Sequence, residues 1–123
     1  MNSFNDGSVA FLEDSDFSKD GKLIVKTPKD TVMVMIMGDF CGFCKKATPM
    51  YQEFALKNKN KAFMTCILTD GEASERALGA RIGEFIPGYS GVPMFVMFKG
   101  GNFVGEHQGG RTVEELEKFL ASA

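Results

Sequence analysis

The sequence of 123 residues lacks several features that would place it in a specialised class of protein. Its 14 basic and 16 acidic side chains give a net charge of −2, which argues against nucleic-acid binding and against attraction to a membrane surface. Its longest apolar run, from Val32 to Met37, is far shorter than the roughly 20 residues that cross a bilayer. Length and composition are those of an ordinary folded protein, and we expect one domain over residues 1–123.

Cysteine is scarce as well. Cys41, Cys44 and Cys66 are too few and too unevenly spaced for a disulfide scaffold. The opening residues, MNSFNDGSVAFL, show neither the basic segment nor the sustained apolar segment of a secretory signal. These absences predict a cytosolic location, and a precursor trimmed of its signal would have the same sequence.

The apolar pattern predicts a mixed sheet covered by helices. Thr31–Met37 is apolar on both faces of an extended chain, which is typical of a strand with helices on both sides. Further strands are predicted at Val9–Leu12, Ala62–Leu68, Pro93–Phe98 and Phe103–Gly105. Lys22–Lys26 is either a small extra strand or an ordered loop.

Three helices are predicted between and after these strands. The first runs from the Cys41–Cys44 region to about Lys57, and we expect Asp39 to help cap it and Pro49 to kink it. The second is marked by Leu78, Ile82 and Phe85 and ends before Pro87; the third opens at Thr112. Strands alternating with helices, then a hairpin and a helix, predict an α/β fold.

The chemistry concentrates at Cys41-Gly42-Phe43-Cys44, where a strand gives way to a helix. Two thiols at this spacing in a first helical turn can close a disulfide. The first also faces unpaired backbone N–H groups and the positive end of the helix dipole, which can lower a cysteine pKa from about 8.5 to roughly 3.5–7.5. A thiolate there attacks a disulfide sulfur, and the second cysteine resolves the mixed disulfide. Gly42 is expected to let the backbone turn tightly and to leave the first sulfur accessible.

A metal site is the main alternative for this cysteine pair. A structural zinc site needs four ligands, usually from two such pairs. Beyond Cys41 and Cys44 the chain offers only Cys66, within an apolar strand, and the lone His107, which is most simply a solvated side chain. We therefore favour redox chemistry and predict neither a metal nor another cofactor.

Several motifs occur in the order found in a known superfamily. They are Leu12–Phe17, Asp39–Lys45 with Pro49, Gly91-Val92-Pro93, Phe98–Asn102 and Gly110-Arg111-Thr112. Together they resemble the thioredoxin superfamily over nearly the whole chain from Val9, and are most similar to the catalytic domain of a protein disulfide isomerase. The resemblance implies a three-layer α/β/α sandwich around a central mixed sheet of four to five strands.

The resemblance also implies roles for individual residues. Cys41 would be the nucleophile and Cys44 the buried resolving thiol. Pro93 would be cis and face the cysteine pair, with the backbone of Val92 pairing to an extended substrate. Arg111 would approach the resolving thiol and lower its pKa, or would be simply a solvated arginine in a glycine-rich loop.

The sequence departs from the family pattern at several of these positions. Phe43 stands where relatives carry proline or histidine, and Phe40 where they carry tryptophan. With Gly42, these two rings are expected to form a substrate-binding rim for unfolded or peptide partners. Met35 and Cys66 occupy the positions of a buried acid and a lysine that assist proton transfer, so that the resolving step is slower or another group serves. Residues 83–89 add a turn that either extends a substrate groove or covers the sheet.

These observations predict a thiol–disulfide oxidoreductase. Its substrates would be protein or peptide disulfides, its dithiol would be recycled by a separate reductant or oxidant, and it would act as a monomer. The alternative is an adaptor of the same fold that holds a partner through the Val92-Pro93 edge and the Phe40/Phe43 rim. The direction of the redox reaction stays open, because about 30 mV corresponds to roughly 1.4 kcal/mol for a two-electron couple.

Overall fold

The computed structural model describes residues 7–122. Its strands are β1 (Ala10–Phe11), β2 (Thr31–Met37), β3 (Phe63–Leu68), β4 (Met94–Lys99) and β5 (Asn102–Glu106). Its helices are α1 (Gly42–Asn58), α2 (Ala73–Arg81) and α3 (Val113–Ala121), with single 3-10 turns at Asp14–Asp16 and Ile82–Glu84. None of the helices in this described range has the length and apolarity needed to cross a membrane.

The strands form one mixed sheet in the order β1-β3-β2-β4-β5. β3 pairs in parallel with both β1 and β2, whereas β4 runs antiparallel to both β2 and β5. Because parallel partners need a crossover, α1 connects β2 to β3. The predicted mixed sheet between helices is confirmed.

Side chains of β2 alternate between two cores, one on each face of the sheet. Met33, Met35 and Met37 point toward α1 and α3, in a core that includes Tyr51 and Leu116. The intervening side chains enter a second core beneath α2, together with Leu78, Ile82 and Ile86. This period of two, with helices on both faces, produces the three-layer sandwich.

Buried hydrogen bonds attach α1 to the sheet. The hydroxyl of Tyr51 donates to the carbonyl oxygen of Thr65 at 2.8 Å, and the hydroxyl of Thr65 donates to the carbonyl oxygen of Met33 at 2.7 Å. All three residues are fully buried. Since a buried polar group without a partner is costly, these bonds fix how α1 lies on β2 and β3.

Some boundaries differ from those predicted. β1 is shorter than Val9–Leu12, although the N–H of Leu12 still donates to the carbonyl oxygen of Cys66 at 2.9 Å. Lys22–Lys26 is the ordered loop of the two alternatives, with one isolated bridge between Phe17 and Leu23. α1 continues through Pro49 to Asn58 without a break.

The second helix is also shorter than predicted. α2 ends at Arg81, and the 3-10 turn that follows leaves Phe85 outside the helix. The apolar spacing fits either kind of helix, and the tighter turn brings the ring of Phe85 to 5.4 Å from that of Phe17.

We predict that Tyr51→Phe lowers the free energy of unfolding by about 1 kcal/mol, because it removes one buried hydrogen bond and leaves no cavity. Tyr51→Ala, which also empties part of the core, should cost about 3–5 kcal/mol. Urea denaturation measures both. Tyr89→Phe is the matched control, at a partly buried tyrosine, and should change the free energy by less than about 0.5 kcal/mol. An equal loss in the two Tyr→Phe variants would contradict the role of the Tyr51 hydroxyl.

Candidate active site

The cysteine pair lies where the central strand ends. β2 stops at Met37 and α1 begins at Gly42. Cys41 is the residue that caps the helix: its backbone is extended, with φ −92° and ψ 113°, and its sulfur accepts the N–H of Cys44 at 3.1 Å. An N–H aimed at sulfur from the start of a helix is the arrangement that stabilises a thiolate.

The prediction that Asp39 helps cap α1 is wrong. The helix begins too late for its carboxylate to act as the cap, and the sulfur of Cys41 takes that place. The backbone of Asp39 is instead held by a residue that follows the neighbouring strand. Asp70, just after β3, accepts the N–H of Asp39 at 2.9 Å and that of Phe40 at 3.2 Å.

Asp70 therefore fixes the connection that leads into the cysteine pair. Next to it, the N–H and the hydroxyl of Thr69 both donate to the carbonyl oxygen of Met37, at 2.9 Å and 3.1 Å. Sequence reasoning missed Asp70. The signal was present, because parallel strands β2 and β3 end at the same edge of the sheet, and polar residues that follow them meet there.

The two thiols differ in their surroundings. Cys41 keeps 8% of its surface exposed, whereas Cys44 is fully buried. Burial, followed by a hydrogen bond with Cys41, raises the pKa of Cys44 to about 12, and the positive charge of Arg111 opposes this rise only weakly. Cys44 is therefore a protonated thiol at neutral pH.

The Val92–Pro93 peptide bond is cis, as the resemblance implied. It lies against the cysteine pair, and the thiol of Cys41 donates to the carbonyl oxygen of Val92 at 3.7 Å. Both residues of the bond are half-buried. The segment before β4 thus meets the start of α1.

Two aromatic rings project from this region into solvent. Phe40 is 74% exposed and Phe43 is 66% exposed. The guanidinium group of Arg111 lies over the ring of Phe43, 5.9 Å from its centre. Arg111 thus combines the two predicted alternatives: it is a solvent-exposed loop residue, and its charge reaches Cys44.

Gly42 is not needed for a tight turn. It is the first residue of α1, its φ is not positive, and a Cβ atom there would meet nothing within 4 Å. The backbone would accept another residue, so the expectation that this glycine permits a tight turn is wrong. What its missing side chain does is leave this surface open.

The positions of the absent acid and lysine lie side by side in the sheet. Met35 is paired with Cys66 across β2 and β3, and both are fully buried. Burial raises the pKa of the Cys66 thiol well above its usual range. Neither side chain exchanges a proton near neutral pH, and the core under the dithiol is apolar.

The added turn before Pro93 covers the sheet. Ile86 is buried in the second core, and Phe85 and Tyr89 pack against the same core. Burial, and secondarily a negative charge on Cys44, raise the pKa of Tyr89.

His107 is packed rather than solvated. Its ring lies between those of Phe95 and Phe119, at 6.3 Å and 5.3 Å, and its Nε2 is 2.8 Å from the carbonyl oxygen of Gly110. This contact orders the loop that carries Arg111. Over residues 7–122, no three His, Cys, Asp or Glu side chains are grouped so as to hold a metal ion.

Comparison with known proteins agrees with this geometry. The thioredoxin family model matches residues 8–122. A thioredoxin-like protein of Invertebrate iridescent virus 6 is 31% identical over an alignment of 106 residues, and the match covers 76% of this chain and 77% of that protein. The protein disulfide-isomerase of Saccharomyces cerevisiae is 32% identical over an alignment of 101 residues, and the match covers 79% of this chain but only 18% of that longer protein.

Solved structures share the fold. Spinach chloroplast thioredoxin f in its short form superposes with a TM-score of 0.68 at 22% identity, covering 94% of this chain and 93% of that one. The J-Trx1 fragment of ERdj5 gives the same TM-score of 0.68 at 19% identity, covering 96% of this chain and 52% of the fragment.

We predict that the reduced protein loses stability as the pH rises above about 8.5. Cys44 and Cys66 keep their protons in the folded state, because burial raises both pKa values, but release them near pH 8.5 when unfolded. Their contribution is complete below that pH and falls above it, by up to about 1.4 kcal/mol per pH unit for each thiol. Urea denaturation in the presence of reductant between pH 7 and pH 10 measures the slope.

Removal of one buried thiol tests the origin of this slope. Cys66→Ala should reduce the loss of unfolding free energy per pH unit by the contribution of one thiol, whatever it does to stability at pH 7. Ile82→Val serves as the control, because it weakens the core without removing a titrating group. A slope unchanged in Cys66→Ala would show that another group causes the alkaline loss.

Proposed function

The chain belongs to the thioredoxin family, and from that premise we propose that it is a thiol–disulfide oxidoreductase acting on protein or peptide disulfides through Cys41 and Cys44. One observation carries the proposal. The N–H of Cys44 donates to the sulfur of Cys41 at 3.1 Å, while the Cys44 thiol is buried behind it. One sulfur is thus placed to attack and the other to follow.

In the reducing direction, two exchange steps account for the reaction. The Cys41 thiolate attacks one sulfur of the substrate, the substrate S–S bond breaks, and the other substrate sulfur leaves as a thiolate that takes up a proton. Cys44 then loses its proton and attacks Cys41, which releases the second substrate sulfur. Two electrons pass to the substrate, and the protein is left with a Cys41–Cys44 disulfide that a separate dithiol must reduce.

The substrate would lie along the cis-proline segment. The carbonyl oxygen of Val92 is 3.7 Å from the Cys41 sulfur. A peptide that forms backbone hydrogen bonds with this segment would therefore bring its own sulfur close to Cys41. Phe40 and Phe43 supply exposed apolar surface on which side chains of an unfolded partner can pack. Both features support a peptide or protein as the substrate.

Arg111 would assist the second step. Its charge lowers the pKa of Cys44, although burial has the larger, opposite effect. With Met35 and Cys66 unable to exchange protons, the arginine is the cation that favours the attacking thiolate of Cys44.

An adaptor of the same fold is the second candidate, and the apolar Met35–Cys66 pair favours it. With Met35 and Cys66 at the positions of the acid and the lysine, the resolving step would be slow, and a partner could be held through the Val92–Pro93 edge and the Phe40/Phe43 rim. The chain spans only 18% and 26% of the two fungal disulfide isomerases it matches, so activities of those whole proteins are not transferred to it. The cytosolic location, the single domain and the monomeric state stay predictions.

Cysteine variants separate these two functions. In an insulin-reduction assay driven by dithiothreitol, Cys41→Ser should bring the rate of turbidity to the uncatalysed background, because no other accessible thiolate remains. Cys44→Ser should accumulate partners as mixed disulfides that reductant releases. Cys66→Ala is the control and should keep the rate. An unaltered rate in Cys41→Ser would remove Cys41 from the mechanism, and partners retained in the presence of reductant would favour the adaptor.

The reduction potential of the Cys41–Cys44 pair decides the direction. A value near −270 mV, about that of thioredoxin, indicates a reductant, and a value well above about −200 mV indicates an oxidant or isomerase.

Arg111→Gln should slow resolution of a preformed mixed disulfide at pH 7 by about twofold, because loss of the weakly opposing positive charge raises the pKa of Cys44 slightly further. The rate–pH profile should move to higher pH, while the first attack on a substrate without acidic residues near its cysteine keeps its rate. Stopped-flow measurement of both steps checks this. Arg111→Lys should restore most of the rate, and Arg76→Gln, at an exposed arginine on α2, should change neither step. A profile that does not move in Arg111→Gln would refute the role.

A further inference from the structure

A small basic pocket lies next to the cysteine motif. It has a volume of about 180 Å³ and is lined by Phe43, Lys46, Ala47 and Arg111. The first three residues share one face of α1, because positions three and four apart are neighbours on a helix. Arg111 closes the pocket from the loop before α3, with its guanidinium group over the Phe43 ring.

The pocket carries two positive charges that form no ion pair among residues 7–122. Within residues 7–122, neither Lys46 nor Arg111 has a carboxylate partner among the ion pairs, which involve Lys57, Arg81 and Lys118. Both side chains are exposed. A chain with a net charge of −2 thus presents two unpaired cations beside its dithiol.

The charge has the opposite sign on the N-terminal side of the motif. There a cleft of about 360 Å³ is lined by Asp39, Asp70, Glu72 and Glu75. Asp70 and Glu75 already accept backbone N–H groups, so these carboxylates have structural duties, but their charge still repels an anion. A negatively charged ligand at the site is therefore directed toward the Phe43 side.

We propose that this basic pocket binds the carboxylate of an aspartate or glutamate side chain that lies within about three residues of the cysteine in the substrate. The inference rests on the proposed function and names its substrate class. Lys46 lies one helical turn, about 5.4 Å, beyond the first turn of α1, and an extended peptide advances about 3.3 Å per residue. A substrate attached at Cys41 thus reaches the pocket with its second or third neighbouring residue.

The two cations suit a carboxylate by different means. Arg111 can offer a planar pair of N–H donors, and its position over Phe43 restricts its motion. Lys46 adds a mobile point charge. The aliphatic part of a glutamate can lie on the Phe43 ring. Because the pocket is open to solvent, the preference should be modest, about threefold to tenfold in kcat/KM at low ionic strength, and smaller in high salt.

The test uses disulfide-linked model peptides that differ in one residue. Glutamate, glutamine or lysine is placed two residues from the cysteine, on its N-terminal side in one set and on its C-terminal side in another. Reduction is followed at low and at high salt. We expect the order Glu, Gln, Lys in at least one set, with differences that shrink as salt is added.

Lys46 variants assign the preference to the pocket. Lys46→Gln should lower the Glu-to-Gln ratio at least about twofold while the rate with the glutamine peptide stays unchanged, and Lys46→Glu should favour the lysine peptide. Lys57→Gln is the matched control, since it removes the same charge from an exposed lysine at the far end of α1. It should leave the ratio intact.

The outcomes separate this inference from the proposed function. Reduction of all peptides at equal rates overturns the acidic preference and leaves the oxidoreductase in place. A ratio that survives in Lys46→Gln, or that falls equally in Lys57→Gln, overturns the assignment to the pocket. Failure to reduce any peptide, including the glutamine one, overturns the proposed function itself.

Discussion

The site depends on the burial of β2. Every side chain from Val32 to Met37 is buried, and the strand is paired along both edges, with β3 and with β4. A strand enclosed in this way meets water only at its end. The chain must turn there, and the residue that caps the next helix is Cys41. The position of the Cys41 sulfur at this end of the sheet thus follows from the packing of two cores against one strand.

Backbone groups surround that sulfur. The N–H of Cys44 and the carbonyl oxygen of Val92 contact it, and the carboxylate of Asp70 holds the two amides before it. Phe43 offers neither a polar hydrogen nor a charge. The geometry of the site therefore survives a change of the inner motif residues, while the surface offered to a partner changes with them.

The sequence predicts the parts of the molecule that repeat a pattern. The doubly apolar β2 and the amphipathic α3 are visible as periodicities, and the cysteine pair is visible as a motif. The cis state of Pro93 follows only from the family resemblance, because about 5–6% of X–Pro bonds are cis. Asp70 is 31 residues from the amide it holds, a distance over which no local pattern carries information. The contact between Arg111 and Phe43 depends on a loop, whose path packing decides.

In the proposed reaction, the apolar pair formed by Met35 and Cys66 affects how long the covalent complex with a partner lasts. In the proposed reaction, the covalent complex between Cys41 and its partner lasts until Cys44 gives up a proton, and the sheet beneath has no group to receive it. Catalytic turnover and prolonged binding of a partner then differ only in how fast the buried Cys44 thiol loses its proton. In that reaction, such a core would lengthen the time that each partner stays bound, and a substitution by an ionisable residue at Met35 or Cys66 would change that residence time.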